Sequence, residues 1–318
     1  MKEYIDIENG IAVYNTDCVE LARSLPDNSI DFSIYSPPFS SLFVYSDNVR
    51  DMGNSLNHDD FMMQYEFLIK EMARITRSGR LTAIHCIDLP LFKGKDGLSG
   101  LRDWQGEIIR IHEKYGFNFH SRVTIWKDPV IEMQRTKAQG LLYKTLCSDA
   151  TKTRQGMADY IIVLRKTIED ETYVKIESEK EKFYDYAGCS TIEEPYMVKN
   201  QEEYDYRYSI NVWQRYASPV WFDIRQTNTL NTKQAKEDKD GKHICPLQLD
   251  VIERCIALWT NPNELVFSPF TGIGSEGYQA IKQGRKFVGS ELKEAYFNVA
   301  VNNLKDAVAE KKSLFDEK

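Results

Sequence analysis

Four consecutive residues, Ser36-Pro37-Pro38-Phe39, could hold a flat ring that carries an exocyclic amino group. Neither proline has a backbone N–H to donate, so the chain must leave its strand there as a rigid, extended loop. The loop offers the Ser36 hydroxyl and main-chain carbonyls as hydrogen-bond partners, and the Phe39 ring as a stacking surface. A structural Pro-Pro turn would show the same residues, so the motif alone leaves both interpretations open.

A second candidate site lies more than 230 residues later, at Gly272-x-Gly274. An apolar run precedes the glycines, a helical pattern follows them, and Glu291 comes after the next apolar run. Glycines allow a tight turn and close backbone approach, and an acid about 20 residues further on can bind ribose hydroxyls. Glu291 lies 17 residues after Gly274. The pattern predicts a ligand that contains a nucleoside, whereas the missing third glycine and Walker-type lysine argue against a dinucleotide or a phosphate cradle.

Both loops must be positioned by elements that alternate between strand and helix. Apolar runs predict strands at residues 11–14, 30–35, 81–86, 117–126, 158–164, 265–267 and 286–289. Amphipathic stretches predict helices at residues 19–25, 60–76, 103–115, 246–259, 275–283 and 294–310, with Asp59 or Asp60 capping the second. Such alternation predicts a parallel or mixed sheet covered on both faces. Open sheets of this kind bind ligands at the carboxyl ends of their strands, where both loops lie.

The composition restricts the class of protein. The chain has 318 residues and a net charge of -7, so it is not a general binder of polyanions, and any nucleic-acid contact needs a local basic surface. Its six cysteines form no Cys-x-x-Cys pair and its five histidines show no ligand spacing, which predicts no metal site and fits the reducing cytoplasm. No apolar run approaches the roughly 20 residues that cross a bilayer, and the first residues do not have the pattern expected of a signal peptide.

Residues 134–156 differ in charge from the rest of the chain. Five cations accompany one acid, Asp149, in this stretch: they are Arg135, Lys137, Lys144, Lys152 and Arg154. They predict contacts with DNA phosphates, although a solvated loop would have the same composition. Residues 167–242 are acidic and rich in tyrosine, and they show no clear periodicity.

Both motifs resemble those of the amino-directed DNA methyltransferases. Residues 268–275, Ser-Pro-Phe-Thr-Gly-Ile-Gly-Ser, are similar to that family's S-adenosylmethionine motif, Asp-Pro-Phe-x-Gly-x-Gly-Thr. Ser36-Pro37-Pro38-Phe39 resembles the family's catalytic motif, (Asp/Asn/Ser)-Pro-Pro-(Tyr/Phe). The catalytic motif comes first and the cofactor motif last, as in the permuted β-type subgroup. The resemblance covers about residues 1–166 and 243–318.

The resemblance implies a Rossmann-like α/β sheet, mostly parallel, with S-adenosyl-L-methionine as the cofactor. It implies a catalytic part at residues 1–166, a target-recognition region at 167–242 and a cofactor-binding part at 243–318. Asp17 is expected to contact the adenine and Glu291 the ribose, and the remaining cofactor-binding residues are Ser268, Pro269, Phe270, Thr271, Gly272, Gly274 and Ser275. Ser268 replaces an acid that lies near the methionine ammonium in relatives, so the cofactor either binds more weakly or gains another partner.

The implied reaction is direct methyl transfer to the amine of a base flipped out of double-stranded DNA, with Phe39 stacking on the base. Hydrogen bonds from the amine to the Ser36 hydroxyl and the Pro37 carbonyl would favour a pyramidal nitrogen, and no covalent enzyme intermediate is needed. Serine in the motif favours N4 of cytosine slightly over N6 of adenine. The alternatives are an RNA or protein-glutamine methyltransferase and a non-catalytic nucleoside-binding regulator. The oligomeric state, a homodimer included, and a restriction partner stay open.

Overall fold

The computed structural model describes residues 2–39, 50–136, 143–153, 155–168, 213–230 and 246–316. Its strands, in chain order, are β1 (Lys2–Asp6), β2 (Ile11–Asn15), β3 (Ile30–Tyr35), β4 (Thr76–Ile87), β5 (Leu89–Leu91), β6 (Gly100–Arg102), β7 (Phe117–Ile125), β8 (Asp159–Lys166), β9 (Val220–Trp221), β10 (Leu265–Ser268) and β11 (Lys286–Ser290). Its helices are α1 (Cys18–Ser24), α2 (His58–Ile75), α3 (Lys93–Asp96), α4 (Trp104–Glu113), α5 (Pro129–Thr136), α6 (Tyr143–Ser148), α7 (Leu249–Trp259), α8 (Ser275–Lys282) and α9 (Glu294–Asp316).

Within these ranges, nine strands form one mixed sheet in the order β1-β2-β11-β10-β3-β4-β8-β7-β9. The central strands from β2 to β4 run parallel. Strand β1 pairs antiparallel with β2 at one end, and β8 pairs antiparallel with both β4 and β7 towards the other. The predicted mostly parallel sheet is confirmed.

Two apolar cores cover the two faces of this sheet. Phe32 and Ile34 of β3 belong to the core that includes residues of α7, α8 and α9. Tyr35, at the end of the same strand, belongs to the core that includes residues of α1, α2 and α4. Because side chains of a strand point to alternate faces, β3 is buried on both sides and takes a central position in the sheet.

The alignment of β3 with β10 brings the two candidate loops together. The strands pair in parallel, with Phe32 opposite Val266 and Ser33 opposite Phe267. Asp31 supports this register because its carboxylate accepts a hydrogen bond from the Leu265 backbone N–H at 2.9 Å. Both strands therefore end at the same edge of the sheet, and the loops that follow them leave side by side.

A short segment within residues 167–242 packs directly on the catalytic core. Strand β9 pairs with β7, and Trp221 is fully buried. The Arg254 guanidinium of α7 makes two hydrogen bonds, of 2.8 and 2.7 Å, to the Asp223 carboxylate. Residues 169–212 and 231–242 of the predicted target-recognition region lie outside the described residues.

Candidate active site

One cavity at the carboxyl ends of β3, β10 and β11 unites the two sequence motifs. Its lining contains most of the predicted site residues, namely Asp17, Ser36, Pro37, Pro38, Phe39, Pro269, Phe270, Thr271, Gly272, Ser275 and Glu291. Two other predicted site residues, Ser268 and Gly274, do not line the cavity. Ser268 is fully buried at the end of β10, and Gly274 caps the N-terminus of α8.

The glycine loop has the backbone that its sequence predicts. Gly272 and Gly274 have φ angles of +54° and +93°, in the left-handed region that side chains disfavour. A Cβ atom at Gly274 would also lie 3.1 Å from the Cα atom of Ala300 in α9. Gly274 thus allows α8 to start close against α9.

The Glu291 carboxylate is fixed at the cavity by two backbone groups. It accepts hydrogen bonds of 2.8 Å each, from the backbone N–H of Gly272 and from that of Lys293. Burial raises the pKa of Glu291 to about 7, and these two hydrogen bonds only partly oppose the rise. The acid therefore links the glycine loop to the end of β11 and titrates near neutral pH.

Asp17 caps helix α1 and also lines the cavity. Its Oδ1 atom accepts hydrogen bonds from the backbone N–H groups of Val19 and Glu20, at 2.9 and 3.1 Å, which makes it the N-cap of α1. The side chain also lines the cavity. The adenine contact expected of Asp17 stays a prediction.

Aromatic rings border the cavity beside both motifs. Phe39 is half-buried, lines the cavity and packs partly against the core beneath α2. Phe270 lies with its ring centroid 5.9 Å from that of Tyr35, the residue that precedes Ser36. The ring of Phe270 therefore joins the cofactor loop to the catalytic loop. The stacking role of Phe39 stays a prediction.

Ser36 takes part in a hydrogen-bonded chain that the sequence did not reveal. Its Oγ atom lies 3.1 Å from Nδ1 of His85, on the neighbouring strand β4. The other ring nitrogen of His85, Nε2, lies 3.0 Å from Oδ2 of Asp159, the first residue of β8. Lys127, which follows β7, places its Nζ atom 2.6 Å from the same carboxylate oxygen. Four neighbouring elements thus contribute to one polar network behind the catalytic loop.

The charges of this network are balanced inside the protein. The side chains of His85, Asp159 and Lys127 are all at least nine-tenths buried. Burial alone would raise the pKa of Asp159, but the hydrogen bonds and charges of His85 and Lys127 outweigh it and lower the pKa to about 2. Asp159 is therefore a carboxylate at neutral pH and can only accept hydrogen bonds.

A second residue that sequence reasoning missed is Glu276, in the first turn of α8. It lines the cavity, although only 5% of the residue is exposed. Burial, with a smaller contribution from the charge of Glu291, raises the pKa of Glu276 to about 8. Ser268 adds a further buried polar group, because its hydroxyl has no hydrogen-bond partner within the described part of the chain.

The predicted DNA-contacting cations are only partly described. Lys144 is exposed on α6. Arg135 lies in α5 and Lys152 in the short 3-10 turn Ala150–Lys152, whereas Lys137 and Arg154 lie outside the described residues. Contact between these cations and DNA phosphates stays a prediction.

Neither a metal site nor a membrane-spanning helix is found in the ranges that the structure covers. Their His, Cys, Asp and Glu residues form no group of three or more that could hold a metal ion. None of their helices combines the length and the apolar character needed to span a bilayer.

Comparison with known proteins gives matches over most of the chain. The family model N6_N4_Mtase, described as DNA methylase, matches residues 30–302. Among curated proteins, the orphan methyltransferase M.BamHII of Bacillus amyloliquefaciens is 20% identical over 288 residues, which are 91% of this chain and 93% of that protein. The type II methyltransferase M.BamHI of the same organism is 23% identical over 88% of this chain and 54% of its own length.

Solved structures have the same fold at low sequence identity. A protein of Thermus thermophilus, assigned as a DNA modification methylase and solved with S-adenosyl-L-methionine, gives a TM-score of 0.61 at 15% identity, covering 93% of this chain and 95% of the other. The PvuII DNA methyltransferase, described as cytosine-N4-specific, gives a TM-score of 0.59 at 14% identity, covering 95% and 92% of the two chains.

Proposed function

Because the chain belongs to the N6_N4_Mtase family of DNA methylases, we propose that it methylates the N4 amine of cytosine in double-stranded DNA, with adenine N6 as the second candidate. S-adenosyl-L-methionine is the cofactor of this family. The observation that carries the proposal is the single cavity in which Ser36 and the glycine loop around Gly272 meet. An amine held at Ser36 and a methyl donor held at the glycine loop would share that space.

The cofactor half of the cavity suits a cationic nucleoside. Gly272 leaves open space where a Cβ atom would stand, and Phe270 offers an aromatic surface beside it. We assign the ribose hydroxyls to Glu291 and the adenine to Asp17, while the buried carboxyl of Glu276 provides an acid for a positive charge. When bound, the cofactor supplies an electrophilic methyl group on a sulfonium.

The target half of the cavity suits a planar base with an amino group. The Ser36 hydroxyl and the Pro37 carbonyl would accept hydrogen bonds from the amine, and Phe39 would stack on the ring. An amine conjugated to a ring is a weak nucleophile, so these residues act mainly by fixing its position and by favouring a pyramidal nitrogen. A base in a duplex must be flipped out to enter, at a cost of a few kcal/mol that stacking of roughly 1–3 kcal/mol offsets.

Two observations favour cytosine over adenine. The first residue of the catalytic motif is serine, and one neighbour of the same fold is described as cytosine-N4-specific. For sequence recognition we propose residues 167–242, which include the segment that Arg254 and Asp223 attach to the core. The exposed Lys144 and the cations near it in sequence are proposed to contact phosphates.

Mass spectrometry of DNA from a methylation-free bacterial host that expresses the protein tests the proposal. We expect N4-methylcytosine among the hydrolysed nucleosides, and far less of it from a host that expresses the Ser36→Ala variant. Appearance of N6-methyladenine instead would select the second candidate. A protein that labels RNA or protein from methyl-labelled cofactor, but not duplex DNA, would contradict the proposal.

A further inference from the structure

The hydrogen-bonded chain behind Ser36 determines where the proton of the serine hydroxyl lies. Asp159 is a carboxylate and can only accept, so the Nε2 atom of His85, 3.0 Å away, must carry a proton. In a neutral imidazole, Nδ1 is then an acceptor. When His85 is neutral, the hydroxyl of Ser36, 3.1 Å from Nδ1, donates its hydrogen to this nitrogen. The lone pairs of the Ser36 oxygen are left to face the cavity, where an amine would donate to them.

The positions of His85 and Asp159 are set by the sheet rather than by loops. His85 pairs with Ile161 and Ile87 pairs with Asp159 in the antiparallel ladder of β4 and β8, which places His85 and Asp159 on the same face. Lys127, which follows the adjacent strand β7, pairs with the carboxylate of Asp159. This network is therefore preorganised before any substrate enters.

We propose that His85 orients the Ser36 hydroxyl and receives, through it, the proton that leaves the target amine, with Asp159 and Lys127 as positioning residues. The proposal rests on the proposed function. As the amine nitrogen bonds the methyl group, the bond between the methyl group and the sulfonium would break and leave its electron pair on sulfur. The N–H bond of the amine breaks as well, and the proton passes to Ser36 Oγ. Ser36 gives its own proton to Nδ1 of His85. The positive charge then lies on the imidazolium, beside the Asp159 carboxylate, and Ser36 is again a neutral hydroxyl.

Side-chain ¹⁵N spectra of the resting protein test the orientation without any reaction. We expect His85, assigned by the signal missing in His85→Gln, to carry its proton on Nε2. In Asp159→Asn the amide can donate to Nε2, so the proton should move to Nδ1. A wild-type His85 with its proton on Nδ1 would overturn the proposal, and this measurement does not depend on the folding of any catalytic variant.

Single-turnover kinetics at saturating cofactor and DNA test the proton transfer. We expect His85→Gln to lower the rate of methyl transfer by about 10²–10⁴-fold, the usual contribution of a placed proton acceptor. The dissociation constants for cofactor and DNA should stay within about threefold of wild type, which a merely structural defect would not allow. A wild-type rate in His85→Gln would overturn the proposal. A wild-type protein that methylates no DNA would count against the proposed function instead.

An independent observation concerns Glu276, an acid that is buried and lines the cavity. It receives a hydrogen bond from its own backbone N–H. In the part of the chain that the structure describes, it forms no ion pair with a lysine, arginine or histidine. A buried acid that lacks a protein cation and lines a ligand cavity is suited to pair with a cationic group of the ligand.

We infer that Glu276 is the counter-ion of the methionyl ammonium of the cofactor, an inference that also rests on the proposed function. Calorimetry with three ligands separates the cationic groups. S-adenosyl-L-methionine carries an ammonium and a sulfonium, S-adenosylhomocysteine carries only the ammonium, and 5′-methylthioadenosine carries neither. We expect Glu276→Gln to weaken binding of the first two by at least about tenfold, in the range of charged hydrogen bonds, and to leave the third unchanged.

The control is Glu310→Gln, because Glu310 contacts Tyr278 and Lys282 of the same helix α8 but does not line the cavity. It should change none of the three affinities. Equal weakening of all three ligands by Glu276→Gln, no weakening, or weakening of S-adenosyl-L-methionine alone would each overturn the ammonium assignment. A wild-type protein that binds none of the three would contradict the proposed function.

Discussion

Replacing Ser36 by alanine is expected to lower the single-turnover rate of DNA methylation by about 10²–10³-fold, the usual loss when one placed hydrogen-bonding group is removed from the reacting centre. The variant loses the oxygen that faces the cavity and is tied to His85. The cofactor should bind as before, because the predicted cofactor contacts come from the glycine loop and Glu291. Quenched-flow labelling with methyl-labelled cofactor, together with calorimetry, measures both quantities.

Ser33→Ala is the matched control for this change. Ser33 lies on the same strand, is fully buried, and its hydroxyl has no hydrogen-bond partner among the described residues. Its removal should therefore leave the rate unaltered. Ser36→Thr keeps a hydroxyl and should retain part of the activity. A Ser36→Ala protein that labels DNA at the wild-type rate would exclude the proposed role of this loop.

The central strands could be predicted because their signals are local. Strands β2, β3, β10 and β11 are short apolar runs that end at turns, and each was predicted to within two residues. The glycine loop carries its own conformational requirement, since Gly272 and Gly274 adopt positive φ angles. Apolar runs and the positions of glycines are therefore sufficient to predict the edge of the sheet where the site lies.

Helix ends were predicted less accurately, because several polar residues compete for each cap. Asp59 or Asp60 was expected to cap α2, and this prediction was wrong. The helix begins at His58, and Asn57 caps it by accepting a hydrogen bond from the Asp60 backbone N–H at 2.9 Å. An asparagine at this earlier position has equal capping ability, so only the geometry of the preceding turn decides between them.

The proton network could not be predicted because its members lie far apart in sequence. His85 and Asp159 are 74 residues apart and meet only through the antiparallel pairing of β4 with β8. The one local signal was a histidine near the end of an otherwise apolar strand. Glu276 was missed for a different reason. An acid in the first turn of a helix is ordinarily a favourable, exposed partner of the helix dipole, and its burial here depends on the cavity.

The protonation state of Glu291 gives a further prediction, which concerns binding rather than catalysis. We expect the affinity for 5′-methylthioadenosine, a neutral nucleoside, to fall as the pH is lowered from 8 to 6. The pKa of Glu291 is raised to about 7 by burial, so protons increasingly occupy the carboxylate that the ribose hydroxyls need. Below this pKa the affinity for the nucleoside should fall by a factor that approaches tenfold for each pH unit. Because this ligand lacks the ammonium, the measurement reports little of Glu276.

In Glu291→Gln the pH dependence should disappear, and the affinity at pH 8 should fall by about 10–100-fold, the range for hydrogen bonds to a charged group. The amide also keeps only one acceptor for the two N–H groups of Gly272 and Lys293.

The protonation of Glu291 also makes the free energy of unfolding depend on pH. Between its ordinary pKa of 4.5 and the folded value of about 7, the folded state retains the proton and the unfolded state does not. The free energy of unfolding should therefore fall as the pH rises through this range.

Thermal unfolding at pH 5 and pH 8 separates this effect from a general loss of structure. Glu291→Gln removes a titrating group whose charged form is disfavoured by burial, so its stability should change less between the two pH values than that of wild type. Glu276→Gln provides the comparison, because the pKa of Glu276 is also raised, to about 8, but Glu276 does not hold the glycine loop. It should flatten the stability profile in the same way while leaving the nucleoside affinity intact. Loss of nucleoside binding in both variants would mean that Glu291 has no specific role at the ribose.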